Sequence, residues 1–107
     1  MARVFALEPC RQDISSARKF GRITYLFERD GDRSSIWAPE FPREIVQKLD
    51  ALGFEPDVDF FVVAGQMVPL VIAISSIVAT YGATNVLFYS STERHYVTRT
   101  IGGYIDD

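Results

Sequence analysis

FFVVAGQMVPLVIAISSIVATYGATNVLFYSS, Phe60 to Ser91, decides the fold of this 107-residue chain. Phe60–Ala64 is an apolar run of strand length, and Gly65 breaks it. A helix is predicted from Val68 or Pro69 to Tyr81, closed by Gly82, and Val86–Tyr89 supplies the next strand. Strand, helix and strand in this order form a βαβ crossover, the unit that builds parallel sheets and places ligand sites at strand ends. The helix is apolar on almost every face, so it must be covered on more than one side. Its apolar stretch, Met67–Ala79, is interrupted by Pro69, Ser75 and Ser76 and falls short of the roughly 18 residues that span a bilayer. A buried helix is therefore expected, not a membrane segment.

Working outward, Arg3–Leu7 reads as the first strand and EPCRQD as the loop after it. Asp13 is placed to cap a short helix, Ile14–Phe20, by accepting N–H groups two or three residues on, and Gly21 stops that helix. Arg22–Glu28 alternates as the second strand with apolar residues on both faces, which suits an interior position. Asp30, Gly31 and Asp32 signal a turn within an exposed loop, Arg29–Ser35, after which Ile36 and Trp37 are expected to fold back on the core. Phe41, Ile45, Leu49 and Leu52 mark one face of an amphipathic helix from Phe41 to Leu52, with Pro42 tolerated in its first turn. Gly53 ends that helix and Phe54 can pack on its last turn. After the fourth strand, Ser90–Arg94 is a turn into His95–Ile101, an antiparallel hairpin partner, and the tail GGYIDD is expected to be mobile. Successive right-handed crossovers give one α/β domain spanning residues 1–107: a small Rossmann-like sandwich, mostly parallel, with an antiparallel C-terminal edge strand.

Composition bounds the function. Net charge is −3, which disfavours non-specific nucleic-acid binding, where a basic stripe is the usual footprint. The single cysteine, Cys10, cannot form an internal disulfide and suits a reducing compartment, so a cytoplasmic setting is expected. Met1–Leu7 is too short for a signal peptide and runs at once into Glu8 and Pro9. One histidine and one cysteine far apart make no metal-ligand spacing, and no cofactor motif is complete. Gln66–Leu70 lacks the further glycines of a dinucleotide fingerprint, and no Gly-Lys-Ser/Thr follows Gly65.

Candidate site residues follow from topology. The carboxyl ends of the parallel strands gather Glu8, Arg11, Gly65, Gln66, Ser90 and Ser91, which share one crevice if the strand order brings them together. Gly65 allows close backbone approach, and the helix start after it can accept an anion. His95 reads as a surface hairpin residue and Cys10 as an inert thiol, so no catalytic set is assigned. Val71, Ile74 and Val78 on the apolar helix are candidate interface residues. A homodimer through this helix or through the edge strand is expected.

VFALEPCRQDISSARKFGRITYLF and DFFVVAGQMVPLVIAISSIVATYGATNVLFYSSTERHYV together resemble a family of small uncharacterised proteins of tailed bacteriophages. The shared marks are an opening strand ending in Glu-Pro, an acidic helix cap, Phe-Gly before the second strand, an Asp-Phe-Phe third strand ending in Gly, and a closing hairpin with an aromatic. These marks are structural, and the resemblance implies no activity. Together with the missing catalytic set and a spare apolar surface on the long helix, the phage-like pattern leads to the expectation of a non-enzymatic protein that contacts a host or viral protein. Element order alone is also similar to the small CRISPR-associated ring nucleases, whose catalytic carboxylates and histidines have no counterpart here. The alternative function is accordingly nucleotide or cyclic-nucleotide binding or hydrolysis at the strand-end crevice.

Overall fold

The first strand, β1 (Arg3–Ala6), lies between two parallel neighbours, β2 (Arg22–Tyr25) and β3 (Phe60–Val62), in the computed structural model of the chain, which describes residues 1–29 and 31–103. β4 (Ala83–Ser90) continues the parallel set beside β3, and β5 (His95–Gly102) closes the sheet antiparallel to β4, giving the order β2-β1-β3-β4-β5. The Rossmann-like, mostly parallel sheet with an antiparallel edge is thus the observed fold. Asp30 of the expected turn and residues 104–107 of the expected mobile tail lie outside the described residues.

Chain direction sets the layers. The step from β1 to β2 runs one way along the sheet; the steps to β3 and β4 run the other way. Right-handed crossovers therefore place the first connection on one face and the next two on the opposite face. The second and third connections are α1 (Phe41–Ala51) and α2 (Met67–Tyr81), and both pack over Phe5, Leu7 and Phe61. The first connection is a 3-10 helix, Ser15–Phe20, over Val4, Ala6, Val62 and Leu87. The short helix expected over Ile14–Phe20 is thus present, in 3-10 form. Ile14, Ala17 and Phe20 recur every third residue, the period at which 3-10 side chains eclipse, and this spacing suits the tighter helix.

Local chemistry fixes the ends. Gly53 and Phe54 close α1 with the paired bonds of a Schellman turn: Phe54 N–H to Leu49 C=O at 2.9 Å and Gly53 N–H to Asp50 C=O at 3.1 Å. Arg3 adds a second cap, its guanidinium donating to the carbonyls of Leu52 and Gly53. The charge is matched by Asp59, fully buried, whose carboxylate also accepts the N–H groups of Arg3 and Glu55 at 3.0 and 2.8 Å. At Gly21 a Cβ would sit 2.4 Å from the Ala2 carbonyl oxygen, so only glycine lets the chain cross the start of β1.

Four expectations are corrected. β2, expected in an interior position, is an edge strand with β1 as its only strand neighbour among the described residues; the apolar residues on its two sides, Ile23 and Tyr25 on one and Leu26 and Phe27 just beyond it on the other, are covered by the two helical layers rather than by a second strand. β2 ends at Tyr25 rather than Glu28, because Asp32 accepts the N–H groups of Glu28 and Arg29 and turns them out of the ladder. β4 begins at Ala83, three residues early, since its hairpin partner runs the full length of β5. Ile36 folds back on the core as expected, but Trp37 is 76% exposed. The Ser35–Ala38 turn, closed by a bond from Ala38 N–H to Ser35 C=O at 2.9 Å, sends neighbouring side chains in opposite directions.

Candidate functional site

The strand order reverses direction between β1 and β3, and this is where an open α/β sheet leaves a crevice at its carboxyl ends. A cleft of about 520 Å³ opens there. Glu8, Arg11, Gly65 and Gln66 line it together, with Cys10 and Arg33 beside them. Four of the six sequence-derived candidates are thus brought into one place.

Ser90 and Ser91 are not. β4 lies one strand further from the switch point, and its end turns straight into the hairpin, where Ser90 Oγ accepts the Glu93 N–H at 3.2 Å. Of the candidate interface residues, Val71 is 56% exposed, whereas Ile74 packs partly against the core and Val78 lies under Gly102.

Arg33, from the loop before α1, is a cleft residue that the sequence reading passed over. Its Nε and Nη2 grip the two oxygens of Glu8 at 3.0 and 3.1 Å, and its guanidinium stands 5.2 Å from the Phe41 ring centre. Such a forked pair fixes both side chains and cancels their charge within the cleft. The loop itself is pinned to α1 by Glu44, which accepts the Ser34 side-chain and backbone hydrogens; these bonds hold the Glu44 carboxyl below its usual range. Arg11 has no ion-pair partner among the described residues, so it is the cleft's uncompensated cation.

Backbone groups add to it. Gly65 adopts φ +104°, a conformation that side-chain-bearing residues rarely take, and it swings the chain from β3 into α2. Gln66 precedes the helix in extended geometry and gives no side-chain cap, and Pro69 has no N–H to offer. The first-turn donors of α2, Met67 and Val68, therefore face the cleft end of the sheet without an intrahelical partner.

The remaining polar groups serve the frame. Asp13 accepts the Ser15 N–H at 2.9 Å, and that bond lowers its carboxyl pKa; the N-cap position is held by Ile14 and no side chain caps the helix, so the expected cap is instead an Asx turn one residue earlier. Burial, with the Asp50 carboxylate it donates to, pushes the Tyr81 hydroxyl up. His95 sits on the hairpin surface, 3.4 Å from Glu93. A second groove of about 620 Å³ lies between the 3-10 helix and β2, lined by Gln12, Asp13, Arg18, Arg22 and Tyr25 among others. Among the described residues no three His, Cys, Asp or Glu side chains gather to hold a metal, and no helix is long and apolar enough to cross a membrane.

Fold and cleft together define a small doubly wound α/β protein with a polar crevice at its switch point. The chain belongs to the Phage Pam3 gp32-like protein family, whose pattern it matches over residues 6–102. The resemblance to bacteriophage proteins is borne out by this match. The likeness to ring nucleases finds no support, and neither a curated protein nor a solved structure matches the chain.

Proposed function

We propose that this phage-family protein acts by binding another protein, host or viral, through the rim at the carboxyl ends of its strands. The observation that supports this reading is apolar exposure at that rim: Trp37 is 76% exposed and Met67 77%. Val68 and Val71 continue the apolar surface along the first turns of α2. Because α1 and α2 each follow a parallel strand, the segment leading into α1 and the start of α2 lie at the same end of the sheet. Exposed aromatic and long apolar side chains of this kind are the usual anchors of protein interfaces.

The test compares tagged wild type with the Trp37→Ser/Met67→Ser/Val71→Ser variant, using quantitative cross-linking mass spectrometry in cells infected by the parent phage. All three positions are exposed, so the variant keeps the wild-type circular dichroism. Its cross-links to a specific partner should fall at least about tenfold, as loss of anchor residues predicts. An identical cross-link set for the two proteins would sink the reading.

A second reading has its own support: the position of the cleft at the switch point, with Arg11 uncompensated. A small anionic ligand such as a nucleotide would set its phosphate against Arg11 and the start of α2. Nucleotides and cyclic nucleotides at millimolar concentration should then raise the melting temperature of wild type but not of Arg11→Ala, since ligands that bind only the native state stabilise it. No shift with any member of the panel removes this alternative.

A further inference from the structure

β2 ends the sheet at the bottom of a slot. The Leu26 N–H reaches the Ala6 carbonyl at 2.9 Å, and along a strand the backbone groups of successive residues point to alternate sides. Arg22 and Thr24 therefore face β1 as Leu26 does, while Ile23 and Tyr25 turn their N–H and C=O groups outward. Among the described residues no backbone hydrogen bond outside the sheet ladders reaches either of them. A hollow flanks this edge on each face of the sheet, and Tyr25 lines both. On the 3-10 side it is the groove of about 620 Å³; on the α1 side it is a hollow of about 430 Å³ against Lys48, Ala51 and Leu52. The two helical layers thus stand out past the sheet, and the space between them continues its plane. One further strand would fill both hollows and pair the outward groups of Ile23 and Tyr25.

Charge says what kind of strand. The groove side carries Arg18 and Arg22 against Asp13, on a chain whose net charge is −3, and neither arginine has an ion-pair partner among the described residues. Asp13 is already engaged by the Ser15 N–H. The two arginines are held around a fixed corner: the Gly21 N–H bonds the Arg18 carbonyl at 3.1 Å, and Gly21 has no room for a Cβ against Ala2.

The α1 side differs. There Arg29 and Lys48 are balanced by Glu28 and Asp32, and Leu26, Ala51 and Leu52 supply apolar lining. Side chains of a strand alternate between the two faces of its sheet, so a strand entering the slot sends every second side chain to the arginines and the others to the apolar side. Acidic residues alternating with apolar ones match both faces.

We propose that β2 accepts an extended segment of a partner protein as a further strand, its acidic side chains turned to Arg18 and Arg22 and its apolar ones to the α1 side. The surface is separate from the apolar rim, and either reading stands without the other. The test titrates a fluorescent synthetic peptide of alternating glutamate and valine onto the full chain, reading affinity by anisotropy and contact by amide hydrogen exchange. Binding should saturate and should slow exchange at Ile23 and Tyr25. A peptide with lysine in place of glutamate should not bind, and N-methylation of the peptide backbone should abolish binding by removing its donors. Arg18→Ala/Arg22→Ala, both exposed, should keep the circular dichroism of wild type and bind at least about tenfold more weakly, as loss of charge-assisted hydrogen bonds predicts. Trp37→Ser/Met67→Ser/Val71→Ser should bind the peptide as wild type does. Absence of saturable binding overturns the proposal, as does a saturated complex in which Ile23 and Tyr25 gain no protection. Undiminished binding of the N-methylated peptide would reduce the contact to charge attraction and overturn it too. Protection of the two amides before peptide is added, with a two-chain mass in light scattering, would give the slot to a second copy instead.

Discussion

Asp59→Ala is expected to lower the unfolding free energy by about 3 kcal/mol in urea denaturation, with an unchanged slope. The carboxylate is fully buried and accepts from the Arg3 N–H, the Glu55 N–H and the Arg3 guanidinium. Its removal leaves two backbone donors without their acceptor and the Arg3 charge without its counterion. Breaking a buried pair by deleting one member costs about 3 to 5 kcal/mol, and the lower figure applies because the Arg3 side chain is 30% exposed. Asp59→Asn keeps the shape and one acceptor oxygen and should lose roughly half as much, since buried hydrogen bonds to charged groups contribute about 1.5 to 3 kcal/mol. A loss below about 1 kcal/mol for Asp59→Ala would show that the guanidinium is held by the α1 carbonyls alone.

Phe61→Ala should cost about as much, 3 to 5 kcal/mol, for a different reason. Phe61 sits on β3 with no exposed surface, packed under α2 in the larger of the two apolar clusters. Truncation removes the transfer energy of the ring and leaves a cavity between a sheet and a helix, neither of which can close without moving the other. Phe61→Leu refills most of that space and should cost less than about 1.5 kcal/mol. If alanine and leucine proved equally damaging in the same titration, ring packing would not be the source of the loss. For a domain whose whole stability is about 5 to 15 kcal/mol, either alanine variant leaves a marginal protein.

Most elements were legible because their cues are local. Pro42 and Gly53 bracket α1, the breaks at Gly65 and Gly82 bracket α2, and the alternation in β5 names a hairpin strand. Strand order was not legible, since nothing in β1 itself says that the chain will return past it to place β3 on its other side. The cleft inherits both facts. Glu8, Arg11, Gly65 and Gln66 were found because residues just past the ends of adjacent parallel strands must meet, while Ser90 and Ser91 met the same rule on a strand one place too far. Arg33 escaped because its pairing with Glu8 spans 25 residues between two loops, and loop contacts leave no period in the sequence. Trp37 misled because hydrophobicity argues for burial, whereas a tight turn can force one of two neighbouring apolar residues outward.

The interior placement of β1, between β2 and β3, also sets when the molecule can fold. β2 is available soon after β1 is made, yet the pair is short and covered on one face only by a 3-10 helix, so it has little to hold it. β3, the Asp59 carboxylate and the α1 carbonyls that receive Arg3 all lie some fifty residues later. Contacts of such separation are closed against loop entropy before they are rewarded. The helical layer, β3 and the Arg3 cap should therefore form together, in one cooperative transition that waits for β3, with no stable half-sheet preceding it.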